Sequence, residues 1–335
     1  MRMISTEMNA AKSFEPLAAR ILGCLKGIAT GDAIGKQTEN LSRRNLDRWY
    51  PDGVRGFEGT PGTVIPRYAA NARRQWRIAE TTDDTERTIA VARAIVRDRA
   101  VHHVSVGREL LTCVKCVHPG VRSLWELHQS GDPAHVAGCH DGCGAAVRVA
   151  PVGILYRSSR LDEIVDAARE ASISTHGGSL AIAAASATAA AVSAALDGAS
   201  APDISVHATR AATLSESRWP GLPGRRFATA LDEVQNHVRQ SDLNPETIAA
   251  SCFPNTPLTI VPLALALATV LDSAERAILL AANIGGDSDS VASIAGGILG
   301  ARRPQTVNAQ WYAAVRRVNG QDLESLAREL AALRS

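Results

Sequence analysis

At 335 residues the chain is long enough for one large domain or two ordinary ones, and 45% hydrophobic with 21% charged residues is the balance of a chain that folds, which excludes extended disorder. Lys and Arg total 36 against 34 Asp and Glu, a formal net charge of +2, so neither nucleic acid nor an anionic membrane is indicated as a partner. Met1 to Ala10 has no apolar stretch resembling a secretory signal, and the six cysteines do not read as a disulfide framework. The expectation is a cytoplasmic protein.

Glu15 to Gly35 predicts a helix with Gly27, Gly31 and Gly35 at spacing four, a face on which another backbone can approach closely. Asp32 lies inside this small and apolar stretch. A buried carboxylate there needs a partner, either a neighbouring helix end, an arginine or a reaction centre. Residues 36–80 read as a long loop, with Pro51-Asp-Gly, Gly56, Gly59 and Pro61-Gly, and Glu39 stands at its start. A loop of that length in a compact domain is usually functional, so it is expected to cover a cleft and to move.

Thr81-Thr-Asp-Asp-Thr-Glu86 opens the next helix, at 84–101. Asp83 as N-cap with Glu86 three residues on resembles a capping box, and acids at a helix N-terminus suit its dipole. The same dipole favours ionised carboxylates, which a metal requires. A helix at 104–117 follows. Cys113-x-x-Cys116 and Cys139-x-x-x-Cys143 resemble a zinc ribbon with 22 residues between the pairs; the other reading is reduced, partly buried thiols.

Helical patterns continue at 160–172, 179–197, 203–214, 227–240, 258–270, 274–283, 290–300 and 320–334. Leu180–Leu196 is mostly Ala with Ser and Thr, too short and too weakly apolar for a membrane span. No strand alternation, solenoid period or linker interrupts the chain. The prediction is all-α: one domain over 1–335, with a core of about 15–303 and a C-terminal helical tail at 304–335.

Asn283-Ile-Gly-Gly-Asp-Ser-Asp-Ser-Val-Ala-Ser-Ile-Ala-Gly-Gly-Ile-Leu-Gly-Ala301 is the most informative segment. Asp287 and Asp289 alternate with Ser288 and Ser290 at the mouth of a helix. A cap needs one side chain; four consecutive oxygen donors suit a hard divalent cation. With Thr82, Asp83 and Asp84 far upstream, a metal centre assembled from distant segments is suggested.

Gly31-Asp-Ala-Ile-Gly35 with Glu39, Thr82-Asp-Asp-Thr85 and Gly285-Gly-Asp-Ser-Asp-Ser290 followed by Ala295-Gly-Gly-Ile-Leu-Gly-Ala301 resemble the signature segments of the ADP-ribosylglycohydrolase family. Asp141-Gly-Cys-Gly-Ala-Ala-Val-Arg148 and Thr175-His176 resemble two further family segments, and all five stand in the family's order. The resemblance implies an all-α fold with a binuclear Mg²⁺ or Mn²⁺ centre. It implies Thr82, Asp83, Asp84, Asp287, Asp289 and Ser290 as metal ligands. Gly142, Cys143, Gly144 and His176 would lie along the substrate cleft, with Asp32 near the metals and Glu39 on a mobile loop. Two departures stand out. Ser288 and Ser290 replace the usual threonines and keep the hydroxyl, whereas Cys143 replaces an asparagine and loses an amide that both donates and accepts.

The implied reaction is hydrolysis of a ribosyl glycosidic bond in an ADP-ribosylated protein or an ADP-ribose-like small molecule. Asp32, Glu39 and Asp289 are the candidate proton acceptors. The alternatives are an N-glycosidase of a free nucleoside- or nucleotide-like compound and a non-catalytic structural or binding member of the family.

Overall fold

The computed structural model describes residues 2–70, 74–115, 140–221, 224, 226–251 and 256–335, with side chains from Pro16 on, Ser251 excepted. Its helices, in chain order, are α1 (Arg2–Gly35), α2 (Arg43–Trp49), α3 (Asp83–Asp98), α4 (His103–Leu110), α5 (Gly144–Arg148), α6 (Ala150–Leu155), α7 (Leu161–Ser172), α8 (Ser179–Leu196), α9 (Ala201–Arg218), α10 (Phe227–Gln240), α11 (Pro245–Ser251), α12 (Pro257–Val270), α13 (Ala274–Ile284), α14 (Ser288–Arg302), α15 (Ala309–Asn319) and α16 (Leu323–Leu333). Among the described residues no strand forms, so the class is all-α as the sequence predicts.

The pairing that positions everything else is α1 against α14, and its cause is glycine spacing. A methyl group at Gly27 would lie 2.5 Å from the Gly296 carbonyl carbon, one at Gly31 2.5 Å from that of Ala292, and one at Gly35 2.5 Å from the Asp289 Cα. At the far end a methyl group at Gly23 would lie 2.8 Å from the Pro304 Cβ. Positions four apart lie on one helix face. The two backbones therefore touch along three turns, and any larger residue would push them apart. This contact sets the C-terminal end of α1, with Asp32 and Lys36, directly on the N-terminal end of α14.

Helices α8 and α12 are apolar all round, and each is almost wholly buried, as such helices must be. Only α8, among the described residues, is long and apolar enough to cross a membrane by composition; it is 89% buried inside the fold, packed by α5, α6, α7 and α9. Each fully buried Ile or Leu of this core contributes roughly 1.5–3 kcal/mol relative to exposure.

Two expectations change. The residues beyond 303 are not a tail. Leu323, Leu326 and Leu330 of α16 are buried, and α16 packs on α1. Arg334 donates to the carbonyls of Gly153, Ile154 and Tyr156 at 2.8, 2.7 and 2.9 Å, closing the open end of α6.

Residues 36–80 are not a loose cover either. Helix α2, a 3₁₀ turn at Pro66–Tyr68 and a bridge between Val64 and Arg77 organise the segment. Ile65, Trp76 and Ile78 form a small cluster of their own, with Phe57 and Tyr68 against it. Two side-chain amides pin the segment, Asn283 from outside it and Gln37 from its start. Asn283 accepts from Val54 N and donates to Val54 O, both at 2.9 Å. Gln37 donates to Gly56 O and accepts from Glu58 N, both at 2.8 Å. The Gly and Pro content marks tight turns within a packed element.

Candidate active site

The site lies where three helix N-termini meet. Thr82 caps α3: its hydroxyl accepts from Asp84 N at 3.1 Å, one residue earlier than the predicted cap at Asp83. Glu86 does not close a capping box. It accepts instead from Val114 N and Lys115 N at 3.0 and 2.8 Å. At α14, Gly285 and Gly286 take positive φ of 82° and 67°, a turn that costs glycine nothing. The turn is pinned by Asn40 N to Gly286 O at 2.6 Å and Gly286 N to Leu41 O at 3.0 Å. Asp287 occupies the N-cap position, but its side chain makes no capping bond. The third N-terminus, that of α8, is met by Asp141, which accepts from Ala181 N at 3.1 Å.

These ends surround a cavity of about 590 Å³. Glu39, Asp83, Asp84, Asp287, Asp289 and Ser290 line one side. Asp141, Gly142, Cys143 and Gly144 line the other, with Leu180 and Thr256–Leu258 beside them. The structure thus brings together two acid pairs some 200 residues apart in sequence. Ser290 donates to Asp84 Oδ2 at 3.1 Å, directly joining the two segments.

The electrostatics of the acid wall differ from the dipole argument. Burial raises the pKa of Asp84, and the neighbouring Asp83, Asp32 and Asp287 raise it further. Asp289 is likewise pushed up by burial and by Glu39, with Lys36 opposing. For Asp287 burial is partly offset by hydrogen bonding with Asp289 and Ser290. Desolvation and mutual repulsion work against the helix dipole and raise these carboxyls above the usual carboxylate range. Cys143 is raised in the same way, first by burial and then by Asp287 and Asp84.

The sequence profile of a known family, described as ADP-ribosylglycohydrolase, matches residues 14–335. The chain belongs to the ADP-ribosylglycohydrolase family. The family is a glycosidase-type hydrolase family. YegU of Escherichia coli K12, an uncharacterized protein, is 29% identical over 84% of this chain and 87% of its own length. A protein of Archaeoglobus fulgidus is 27% identical over 83% and 86% of the two chains. ADP-ribosylhydrolase ARH3 of Mus musculus is 25% identical over 88% and 85%. A solved chain of an ADP-ribosylglycohydrolase-related protein complex superposes with a TM-score of 0.71 over 96% of this chain and 100% of its own, at 23% identity.

The donor set suits the divalent ions of an ADP-ribosylglycohydrolase in kind. It is made of hard oxygen donors, it is half-buried to buried, and its carboxyls outnumber the cations beside them, Lys36 and Arg87. Among the described residues, however, no three His, Cys, Asp or Glu side chains stand close enough as placed to ligate one ion together. The acids line the cavity without forming a closed cage.

Several residues fall elsewhere than the sequence suggests. Asp32 does not line the cavity. It is fully buried beneath α3, accepting from Thr82 N at 2.9 and 3.0 Å and from Thr85 N and Oγ1 at 3.1 and 2.5 Å. It caps a neighbouring helix, one of the partners its buried position calls for. Thr82 is likewise occupied as a cap and lies outside the lining. His176 lies under the 142–144 turn rather than along the cleft: a methyl at Gly142 would meet its Nε2 at 2.9 Å, and Thr175 Oγ1 sits 2.7 Å from its Nδ1. Buried Arg148 donates to the same Thr175 hydroxyl at 2.7 Å and to Ala171 O at 2.9 Å, tying the turn to α7. Of the possible zinc residues, Cys143 lines the cleft and Cys113 packs on the core, while Cys116 and Cys139 lie outside the described residues.

Three site residues escape a motif reading. Arg87 lines the cavity and pairs with Asp83 at 3.1 Å, an i,i+4 spacing that the sequence displays. Asp141 carries no sequence signal of its own beyond its place in the 141–148 segment. Lys36 pairs with Glu39 and lies 3.6 Å from Asp289. Burial works against its ammonium, but Asp289 and Glu39 outweigh that and push its pKa up.

Proposed function

We propose that this chain is a divalent-metal-dependent hydrolase that cleaves the ribosyl glycosidic bond of an ADP-ribosylated protein or small molecule. The observation that carries the proposal is the convergence of Asp83, Asp84, Asp287, Asp289 and Ser290 on one cavity in a chain of this family.

These five residues would hold Mg²⁺ or Mn²⁺, two ions by resemblance to the family. Bound there, the ions would supply the positive charge that orients ribose hydroxyls and acidifies a water. Glu39 is the acid best suited to take the proton from that water. It lines the cleft, and its Oε2 is held by Lys36 and by the Tyr68 hydroxyl at 3.2 Å, which fixes the carboxylate in place. Asp289, 4% exposed and beside Lys36, stays with the acid cluster and steadies charge at the anomeric carbon as the bond breaks. Asp32 holds α3 in register and so keeps Asp83 and Asp84 facing the cavity.

Cys143 favours a second reading. A thiol stands on the recognition side of the cleft in place of an amide, which suits a free nucleoside- or nucleotide-like glycoside. A panel decides between them: ADP-ribosylated peptides, O-linked and N-linked ADP-ribose conjugates and free nucleosides, each with Mg²⁺ or Mn²⁺, reading released ribosyl product. Release from ADP-ribosyl conjugates alone supports the first reading and release from nucleosides alone the second. No release from any member of the panel contradicts both.

A further inference from the structure

Lys36 follows the last turn of α1, and its side chain is 6% exposed. Its Nζ pairs with Glu39 and stands 3.6 Å from Asp289 Oδ2. On its other side the Trp76 ring centroid is 4.4 Å away and that of Tyr68 6.0 Å. The backbone is clamped as well: Lys36 N donates to Asp32 O at 2.9 Å, and Arg67 donates to Lys36 O at 2.9 Å. A lysine normally keeps its stem mobile and its ammonium in water. This one is boxed by aromatic faces, a use of the ring quadrupole that holds a cation in place. It is a fixture of the acid wall.

The consequence concerns how that wall shares its charges. An ion ligated by Asp289 meets a fixed positive charge on the same carboxylate, in surroundings too buried for salt to screen. The opposite acid pair also has a cation nearby, since Arg87 pairs with Asp83. The Asp83 side chain is 30% exposed, however, against 6% for the side chain of Asp289, so that pairing is the better screened of the two. Asp84 remains available there regardless.

We propose that Lys36 is a resident cation of the cleft that shares Asp289 with one divalent ion, so that the acid wall binds its two ions unequally, one tightly and one in competition with the ammonium. This rests on the metal-dependent reading above and adds that, at limiting metal, the chain holds one ion.

Mn²⁺ binding to the full chain, followed by calorimetry and electron paramagnetic resonance without substrate, tests this apart from activity. The wild type should bind one Mn²⁺ first, with an isolated-ion spectrum at one equivalent, and a second at least about tenfold more weakly. Lys36→Met should bring the two affinities within a few-fold of each other and give a spin-coupled pair at two equivalents. Lys36→Arg, which keeps the charge, should retain the wild-type pattern. Without metal, Lys36→Met should melt lower than wild type, because Glu39 and Asp289 lose their counter-ion, and Mn²⁺ should restore it. Two ions of equal affinity in the wild type would overturn the proposal even if Lys36→Met failed to fold. So would a Lys36→Met protein whose second ion binds as weakly as before. Absence of Mn²⁺ binding in every variant would instead sink the metal-dependent reading, and this inference with it.

Discussion

The two walls of the cleft are built by different means. The acid wall stands on the backbone-to-backbone contact of α1 with α14, on the hydrogen bonds from α3 to Asp32, and on the turn at Gly285–Gly286. The facing wall is a short turn, Asp141 to Gly144, resting on His176 and Arg148. On the first wall a change of side chain disturbs the contact between two long helices; on the second, Cys143 lines the cleft from a short turn. The chemistry common to many substrates thus sits on the rigid wall, and the choice of substrate on the adjustable one.

The comparison breaks first if the rigid wall tolerates bulk. Gly31→Leu should cost about 3 kcal/mol or more in denaturant unfolding, because backbone atoms of α14 cannot yield as a side chain would. A loss below about 1 kcal/mol would show that the two helices have slack. Next in size is Asp287→Asn, expected to lower kcat/KM about 100-fold or more while the chain stays folded. Its metal-free melting temperature should stay level or rise slightly, since one of several crowded acids becomes neutral. Turnover near that of the wild type at saturating metal would remove Asp287 from the site.

The acid wall also predicts a pH dependence. Asp84, Asp287 and Asp289 have folded pKa values raised above their unfolded ones, so the folded chain keeps protons that the unfolded chain releases above about pH 4. With more protons bound in the folded state, stability falls as pH rises from there through those raised values. Melting temperatures of the metal-free chain should therefore decline from mildly acid to neutral pH, and Mg²⁺ or Mn²⁺ should flatten the decline. A metal-free stability that rises over that range contradicts the repulsion argument. On the adjustable wall, Cys143→Asn should change the ratio of kcat/KM values between two substrates by about tenfold. The smallest effect belongs to residues 36–80, where hydrogen exchange should differ little with and without an ADP-ribose-like ligand, because Asn283 and Gln37 already hold the segment. Strong ligand-induced protection there would restore the gating loop that the Gly and Pro content suggests.

Much of the rigid wall is visible in the sequence. Spacing-four glycines on α1, small residues on α14 and acids at two helix mouths each carry a local physical signal. The long helices are legible from apolar period, while α2, α5, α6 and α11 are too short to show one. The role of Asp32 was not separable from catalysis, since a buried carboxylate reads alike under a helix and in a cleft; only the bonds from Thr82 and Thr85 decide it. Lys36 was legible in part, standing three residues before Glu39, but its cage of Trp76 and Tyr68 depends on contacts some 30 to 40 residues away. Residues 36–80 misled because turn residues mark bends whether or not the chain between them is packed, and the apolar pattern of Ile65, Trp76 and Ile78 is too sparse to announce a core.

The central claim, that this acid-lined cleft is a divalent-dependent glycosidase site, is tested most directly by turnover against metal concentration. The full chain, stripped with a chelator, is assayed for ADP-ribose release from an ADP-ribosylated substrate as Mg²⁺ or Mn²⁺ is returned, beside Asp84→Asn and Asp289→Asn. The account predicts no release in chelator, saturable recovery with metal, and at least about a 100-fold loss in both variants at any metal concentration. Full release in chelator, or variants as active as the wild type, would contradict it.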